Sequence, residues 1–167
     1  MATYTLISSV TVGSGGAADI EFTSIPATYT DLMLVGSTRH SNGAGIGEEI
    51  TLNTNTSNYT NRYLFGSGSS AGSGSNLGRF SNIGTRSTDT SSTFSNFSIY
   101  IPNYTGSNNK SYSGDTVMEN NATESYQYLI AGLWSDTSAI TSIKIAPFSG
   151  NGNYVQYSTA YLYGIKN

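Results

Sequence analysis

Short runs in which apolar and polar residues alternate limit the fold of this sequence more than any other feature. In Phe97-Ser-Ile-Tyr-Ile101 the side chains of one parity are all large and apolar, and Pro102 ends the run. Ile143-Lys-Ile145 repeats the pattern shortly before Pro147. Because successive side chains of a β-strand point to opposite faces, this pattern predicts strands with one buried face.

Ten short strands are predicted in this way. Besides the two runs above, segments rich in Ile, Val, Thr, Tyr and Phe, which favour strands, cover residues 4–12, 20–25, 32–39, 50–52, 59–65, 113–118, 126–134 and 154–165. Turn signals such as Asn42-Gly43 separate them. Residues 118–128 are the one place where a short turn of helix is predicted. The pattern therefore predicts an all-β chain, an antiparallel β-sandwich and most specifically a jelly roll with little or no helix.

The length of 167 residues predicts a single β-sandwich domain over residues 1–167. One segment stands apart, Gly66-Ser-Gly-Ser-Ser-Ala-Gly-Ser-Gly-Ser-Asn-Leu-Gly78. Its composition is typical of a flexible surface loop or of a domain linker. Because both flanks keep their strand pattern, we interpret residues 66–78 as a long loop inside one domain, which could become ordered against a neighbouring subunit.

The composition excludes several classes of protein. Ser, Thr, Asn and Gly fill about half of the chain and only 10% of it is charged, but 12% aromatic residues and a net charge of −3 disfavour disorder. No apolar run is long enough for a membrane span. With 7 scattered Lys and Arg residues we expect no nucleic-acid partner. The absence of Cys excludes disulfides, and the first residues lack signal-peptide character, so we expect no secretion.

Candidate catalytic residues are few. His40 is the single histidine, and a Ser-His-Asp arrangement would need it as the base, with Asp31 or Glu48 as the carboxylate. No Gly-x-Ser-x-Gly elbow lies between a predicted strand and a helix. We therefore interpret His40 as a strand-end histidine on a turn and predict no catalytic residues.

Candidate metal and phosphate sites are equally weak. Glu48 and Glu49 are adjacent, so on a strand their side chains point to opposite faces. Asn53-Thr-Asn55-Thr-Ser57 alternates like a calcium loop but contains no acid. No Gly-Lys pair is present for a phosphate loop. We predict no metal and no cofactor.

Aromatic side chains are the remaining informative feature. Trp134 is interpreted as packed at a strand end, with a sugar-stacking platform as the alternative. Eleven tyrosines alternate with polar residues and predict either the edge of the core or a contact surface; they are Tyr59, Tyr63, Tyr100, Tyr104, Tyr112, Tyr126, Tyr128, Tyr154, Tyr157, Tyr161 and Tyr163.

Several longer phrases of the sequence carry a resemblance. They read Tyr4-Thr-Leu-Ile-Ser-Ser, Ile20-Glu-Phe-Thr-Ser-Ile-Pro26-Ala-Thr-Tyr29-Thr-Asp-Leu-Met-Leu34, Leu52-Asn53, Asn58-Tyr59, Tyr63-Leu-Phe-Gly66, Gly132-Leu-Trp134, Ile140-Thr-Ser-Ile143 and Ser158-Thr-Ala-Tyr-Leu-Tyr-Gly-Ile-Lys166. Over roughly residues 3–66 and 129–166 the chain thus resembles bacteriophage virion structural proteins that are frequent in marine and cyanobacterial phages. Thr54-Asn55 stands where that family has Gly-Asp, which puts an acid-dependent ion site there in doubt.

The resemblance implies a non-enzymatic virion protein with a jelly-roll-like β-sandwich, made in the host cytoplasm. The leading interpretation is a capsid decoration (cement) protein, a homo-oligomer and most specifically a trimer, which lies on the outer capsid surface and bridges major capsid proteins. No nucleic acid or membrane is expected as a partner. The alternative is a receptor-binding fibre tip or short fibre that recognises a host surface polysaccharide.

Overall fold

The computed structural model describes residues 1–43, 47–75, 80, 84–121 and 124–166. Eleven strands account for most of the regular structure in these ranges. They are β1 (Thr3–Thr11), β2 (Ile20–Phe22), β3 (Asp31–Thr38), β4 (Glu48–Leu52), β5 (Tyr59–Gly66), β6 (Ala71–Gly74), β7 (Ser95–Ile101), β8 (Lys110–Glu119), β9 (Ser125–Trp134), β10 (Ile143–Pro147) and β11 (Thr159–Lys166). A single 3-10 turn at Phe148–Gly150 follows β10.

The strands form two antiparallel sheets. The larger has the order β1-β11-β3-β7-β8-β9-β5-β6, and the smaller has the order β2-β10-β4. The chain changes sheet after each of its first four strands, again between β9 and β10, and once more between β10 and β11. The first strand pairs with the last. The all-β antiparallel sandwich is therefore confirmed. The jelly roll stays a prediction, supported by these crossings, while β5, β6, β8 and β9 extend only the larger sheet.

One apolar core lies between the sheets. The residues that alternate on the inner faces are almost fully buried, in agreement with the period-two pattern of the sequence. Burial of one such side chain contributes about 1.5–3 kcal/mol to stability. From the larger sheet the core receives Leu32, Leu34, Ile99, Ile101 and Leu162, and from the smaller sheet Phe22, Ile50, Leu52, Ile143 and Ile145.

Two predictions about local structure need correction. Within the predicted loop 66–78, Ala71–Gly74 forms strand β6, which pairs with β5 through a tight turn at Ser67–Ser70; residues 76–78 lie outside the described residues. The helical turn predicted within 118–128 is absent from residues 118–121 and 124–128, because β8 and β9 pair as a hairpin there; residues 122 and 123 lie outside the described residues. Asn120 holds this hairpin turn: its side-chain oxygen accepts a hydrogen bond from the Glu124 amide at 3.1 Å.

Six glycines inside strands lie directly under aromatic rings. A Cβ atom on any of them would come within 2.9 Å of a ring atom, far inside van der Waals contact. These glycines therefore provide space for rings packed across the sheet, a role that the sequence reading, which noted glycine only in turns and in the 66–78 segment, did not foresee. The pairs are Gly36 with Phe97, Gly72 with Phe65, Gly74 with Tyr63, Gly114 with Phe80, Gly132 with Tyr112 and Gly164 with Tyr29.

Candidate functional site: the outer face of the larger sheet

The outer face of the larger sheet carries two rows of side chains that run from strand to strand. Directly paired residues of neighbouring strands point to the same face, so the register defines each row. One row is Leu6, Tyr163, Met33, Tyr100, Ser113, Ala131 and Arg62, and the next is Ser9, Tyr161, Val35, Ser98, Asp115, Leu129, Leu64 and Ser73.

A trough of about 850 Å³ lies over the β5, β8 and β9 end of these rows. Its walls combine apolar side chains, of which Leu64 and Leu129 are 59% and 55% exposed, with the hydroxyls of Ser98 and Ser113. Its volume is within the range of protein binding sites. Two leucines directly paired across strands and left open to solvent form a contiguous apolar patch in the interior of the sheet, so this trough is the candidate binding site.

Two opposite charges lie in the trough. Asp115 accepts a hydrogen bond from the Ser98 hydroxyl, and the Arg62 guanidinium donates to the carbonyl of Asn61 at 2.9 Å. Neither charged group forms an ion pair with another of the described residues. At the edge of the trough, the Tyr100 hydroxyl donates to Asp31 at 2.9 Å, and burial followed by this contact raises the pKa of Tyr100. The polar groups of the trough are therefore held in fixed positions by the sheet.

The arrangement most similar to a catalytic site is a buried cluster around Glu48, which joins the two sheets at one end. The Thr38 hydroxyl donates to Glu48 Oε1 at 2.6 Å, His40 Nε2 lies 3.2 Å from the same oxygen, and the Tyr154 hydroxyl donates to Oε2. Ser95 completes the cluster through a bond from its hydroxyl to the carbonyl of Thr38. The prediction that Glu48 could lie beside His40 was correct.

This cluster is closed to solvent. His40 and Tyr154 have no exposed surface and Glu48 is 1% exposed, so a substrate has no access to them. His40 Nδ1 has no hydrogen-bond partner among the described residues, so none of their serines lies at the ring nitrogen that a triad would use. Burial and the neighbouring Glu48 raise the pKa of Tyr154 well above its ordinary value. The cluster therefore holds the sheets together.

The other candidate polar residues have structural roles. Asp31 does not pair with His40; its carboxylate accepts a hydrogen bond from the Asn103 amide at 2.8 Å. Glu49 points away from Glu48, as predicted, and accepts the Ser149 amide at 3.2 Å. In the 53–57 segment the Asn53 side chain accepts the Thr141 amide at 2.7 Å and donates to the carbonyl of Ala139. These oxygens are used inside the fold and do not converge on a cation site.

The aromatic residues divide between core and surface. Trp134 is 1% exposed and stacks on Tyr59 with ring centroids 6.2 Å apart, so its interpretation as a packed residue is confirmed and the sugar platform was wrong. Burial raises the pKa of Tyr59 to about 12. Of the eleven tyrosines, Tyr104, Tyr112, Tyr128 and Tyr154 are buried, whereas Tyr157 is 68% exposed. The prediction of core-edge tyrosines thus holds for most of them.

Within the described ranges, no group of three or more His, Asp or Glu side chains is placed to hold a metal ion. In the same ranges no helix is both long and apolar enough to cross a membrane.

Comparison with known proteins gives no relative for this chain. No protein-family model, no curated protein and no solved structure matches it.

The sequence did not identify the trough. Leu64 and Leu129 were each part of a predicted strand, but nothing in their spacing shows that β5 and β9 are neighbours. Arg62 and Asp115 are separated by more than fifty residues in the chain. One signal was present within each strand. Leu64 and Leu129 are large apolar residues at positions whose side chains point away from the core, where the alternating pattern would place polar residues.

Proposed function

We propose that this protein is a non-enzymatic capsid decoration protein, which binds the outside of a bacteriophage head and bridges major capsid proteins through the outer face of its larger sheet. The observation that carries the proposal is the trough with its exposed pair Leu64 and Leu129. Contiguous exposed apolar side chains on a folded domain mark sites of protein contact. The link to a phage head comes from the sequence resemblance.

The chemistry of this face suits a protein partner. Central sheet strands present it on a rigid support, so that binding orders few groups. The face carries few charges, so its binding to a partner depends little on ion pairs. Because salt screens exposed ion pairs, such binding is expected to vary little with salt concentration. A cement protein must hold its neighbours by such contacts against the internal pressure of packaged DNA, and it needs no reacting group.

The closed His40–Glu48 cluster also supports a non-enzymatic role. Among the described residues it is the one histidine–carboxylate pair, and it lies inside the core. Its bonds connect β3 and β4, which belong to different sheets. A contact that joins the sheets resists mechanical separation, as a bridging protein requires.

An add-back assay tests the proposal. Heads from a phage that lacks this gene are mixed with the purified protein, and the bound copies are counted after sedimentation. We expect wild type to bind in many copies and to raise the temperature of DNA release. Leu64→Asp, which places a charge in the trough, is expected to reduce binding at least tenfold. Tyr157→Asp, a matched change of an exposed apolar residue outside the trough, is expected to bind like wild type.

Two results would contradict the proposal. Wild type that binds tails but not heads would exclude a decoration role. Leu64→Asp binding equal to that of Tyr157→Asp would exclude the trough as the contact surface.

The second candidate function is recognition of a host polysaccharide by a fibre tip. Arg62, Asp115 and the Ser98 hydroxyl, close to the Tyr100 ring, provide the hydrogen-bonding and stacking groups that sugars use. Binding on a glycan array that is specific and is lost in Asp115→Ala would favour this candidate over the decoration protein.

A further inference from the structure

The two sheets have four edges, and three of them are protected against pairing with another chain. β2 has three residues and exposes Glu21, β6 has four residues of Gly, Ser and Ala, and β4 has five residues, of which Glu49 is half-buried. Short length and charge are the devices by which folded proteins prevent edge-to-edge association. These three edges are therefore poor partners for a further strand.

The fourth edge, β1, lacks this protection. It has nine residues, Thr3–Thr11, without Asp, Glu, Lys, Arg or Pro. Most of its side chains are exposed, and among the described residues it pairs with β11 alone. One bulge between Leu6 and Ser8 interrupts its register and separates an N-terminal part, Thr3 to Leu6. A long, uncharged edge of this kind offers unpaired backbone donors and acceptors to another strand.

The exposed side chains of β1 are complementary to one another. Tyr4 and Leu6 are 57% and 51% exposed and lie on the same face of the strand. If two copies pair antiparallel around Thr5, Tyr4 of each copy lies directly opposite Leu6 of the other. Aromatic–aliphatic pairs of this type stabilise antiparallel strands. The same pairing covers the largest exposed apolar surface of β1 in both copies at once.

We propose that two copies of this chain associate through β1, in antiparallel pairing centred on Thr5, to join their larger sheets into one continuous sheet. A two-fold axis perpendicular to the strands relates the copies, and the assembly is closed because each copy uses the same edge. Pairing of β1 with the four-residue β6 edge would instead be open-ended and would leave most of β1 uncovered. The inference depends on the edges alone and not on the proposed decoration function.

Light scattering after size-exclusion chromatography tests the inference on purified protein, without any capsid. We expect a mass of twice 17.7 kDa at high concentration. Thr5→Lys places two ammonium groups opposite each other at the centre of the pairing and should raise the dimer dissociation constant at least tenfold. Thr60→Lys, the same change on exposed β5, should leave it unchanged. A cooperative thermal unfolding transition is the control that each variant folds.

A cross-link tests the register directly, because the natural chain has no cysteine. Opposed residues of antiparallel strands have Cα atoms about 4.5–5.5 Å apart, within the reach of a disulfide. Thr5→Cys should therefore form a disulfide-linked dimer in air, and Thr60→Cys should not.

Three outcomes would overturn the inference. Wild type at 17.7 kDa at all concentrations would exclude association through β1. Three times that mass would fit the trimer implied by the sequence resemblance and would contradict two-fold pairing. A dimer in which Thr5→Cys does not cross-link would place the contact elsewhere. Each of these leaves the capsid add-back assay free to succeed or fail on its own.

Discussion

Addition of one methyl group at Gly132 tests the packing of glycines under aromatic rings. In β9 this glycine is paired with Tyr112 of β8, whose ring covers it. A Cβ atom at Gly132 would lie 2.0 Å from Tyr112 Cζ and 2.1 Å from Cε2. Carbon atoms pack at about 3.5–4.0 Å, so in Gly132→Ala the ring has to move by roughly 1.5 Å. The ring is 3% exposed and belongs to the buried core.

The expected loss of stability follows from this displacement. Extra atoms in a well-packed core destabilise a protein by about 1–3 kcal/mol. We expect the upper end of this range for Gly132→Ala, because the new Cβ meets atoms of a rigid, buried ring. For a chain of this length 3 kcal/mol lowers Tm by roughly 6–12 °C. Gly66→Ala is the matched control, because nothing lies within 4 Å of a Cβ there. We expect its unfolding free energy to change by less than about 1 kcal/mol.

Urea unfolding of four proteins decides the matter: wild type, Gly132→Ala, Tyr112→Leu and the double variant. Leucine lacks the ring atoms Cζ, Cε2 and Oη that meet the new Cβ. The double variant should therefore be more stable than the sum of the two single effects by at least about 1 kcal/mol. Additive effects, or a Gly132→Ala variant as stable as Gly66→Ala, would refute the explanation.

Three further predictions concern the buried polar groups. Glu48→Gln should reduce the unfolding free energy in urea by about 3 kcal/mol, because an amide NH2 donor replaces one of the two oxygens that accept from the Thr38 and Tyr154 hydroxyls. The neighbouring change Glu49→Gln should cost less than about 1 kcal/mol, and equal losses would contradict the role of the cluster. Arg39 donates to the carbonyls of Thr90, Thr93 and Asp89, each at 2.9 Å. Because a lysine cannot reproduce these bonds, Arg39→Lys should accelerate amide hydrogen exchange in residues 87–93 at least tenfold. Unchanged exchange would show that Arg39 does not hold this loop. Burial raises the pKa of Tyr59 from 10.0 to about 12, so the folded state retains this proton at pH values where the unfolded state loses it. The resulting contribution to the unfolding free energy is complete below pH 10 and is lost as the pH rises through 12. The unfolding free energy in urea should therefore fall over that interval and fall less in Tyr59→Phe, and an equal fall in both proteins would contradict the assignment.

Alternation of residue types predicted ten of the eleven strands because period two directly reports which parity is buried. β6 could not be predicted in this way, since Ala71–Gly74 has no large apolar residue. It forms because Phe65 and Tyr63 of β5 pack over Gly72 and Gly74. A similar dependence on the partner explains why the helical turn predicted within 118–128 is absent from residues 118–121 and 124–128, where pairing of β8 with β9 decides the backbone.

The candidate site was less accessible to sequence reasoning than the fold. The sequence offered Asp31 or Glu48 as a carboxylate near His40, and the structure brings Glu48 to it. The burial of this contact was not predicted, because Tyr154, which closes it, comes from a distant segment. The trough depends on the neighbourhood of β8, β9 and β5, which no local pattern encodes. Sheet order is decided by the whole set of inner-face contacts.

Imaging of the assembled phage particle by cryo-electron microscopy tests the central claim most directly. Our account predicts density for the eleven-stranded sandwich at many equivalent positions over the head, with the face that carries Leu64 and Leu129 turned towards the capsid shell. Density confined to the tail, or a sandwich on the head whose Leu64 face points to solvent, would contradict it.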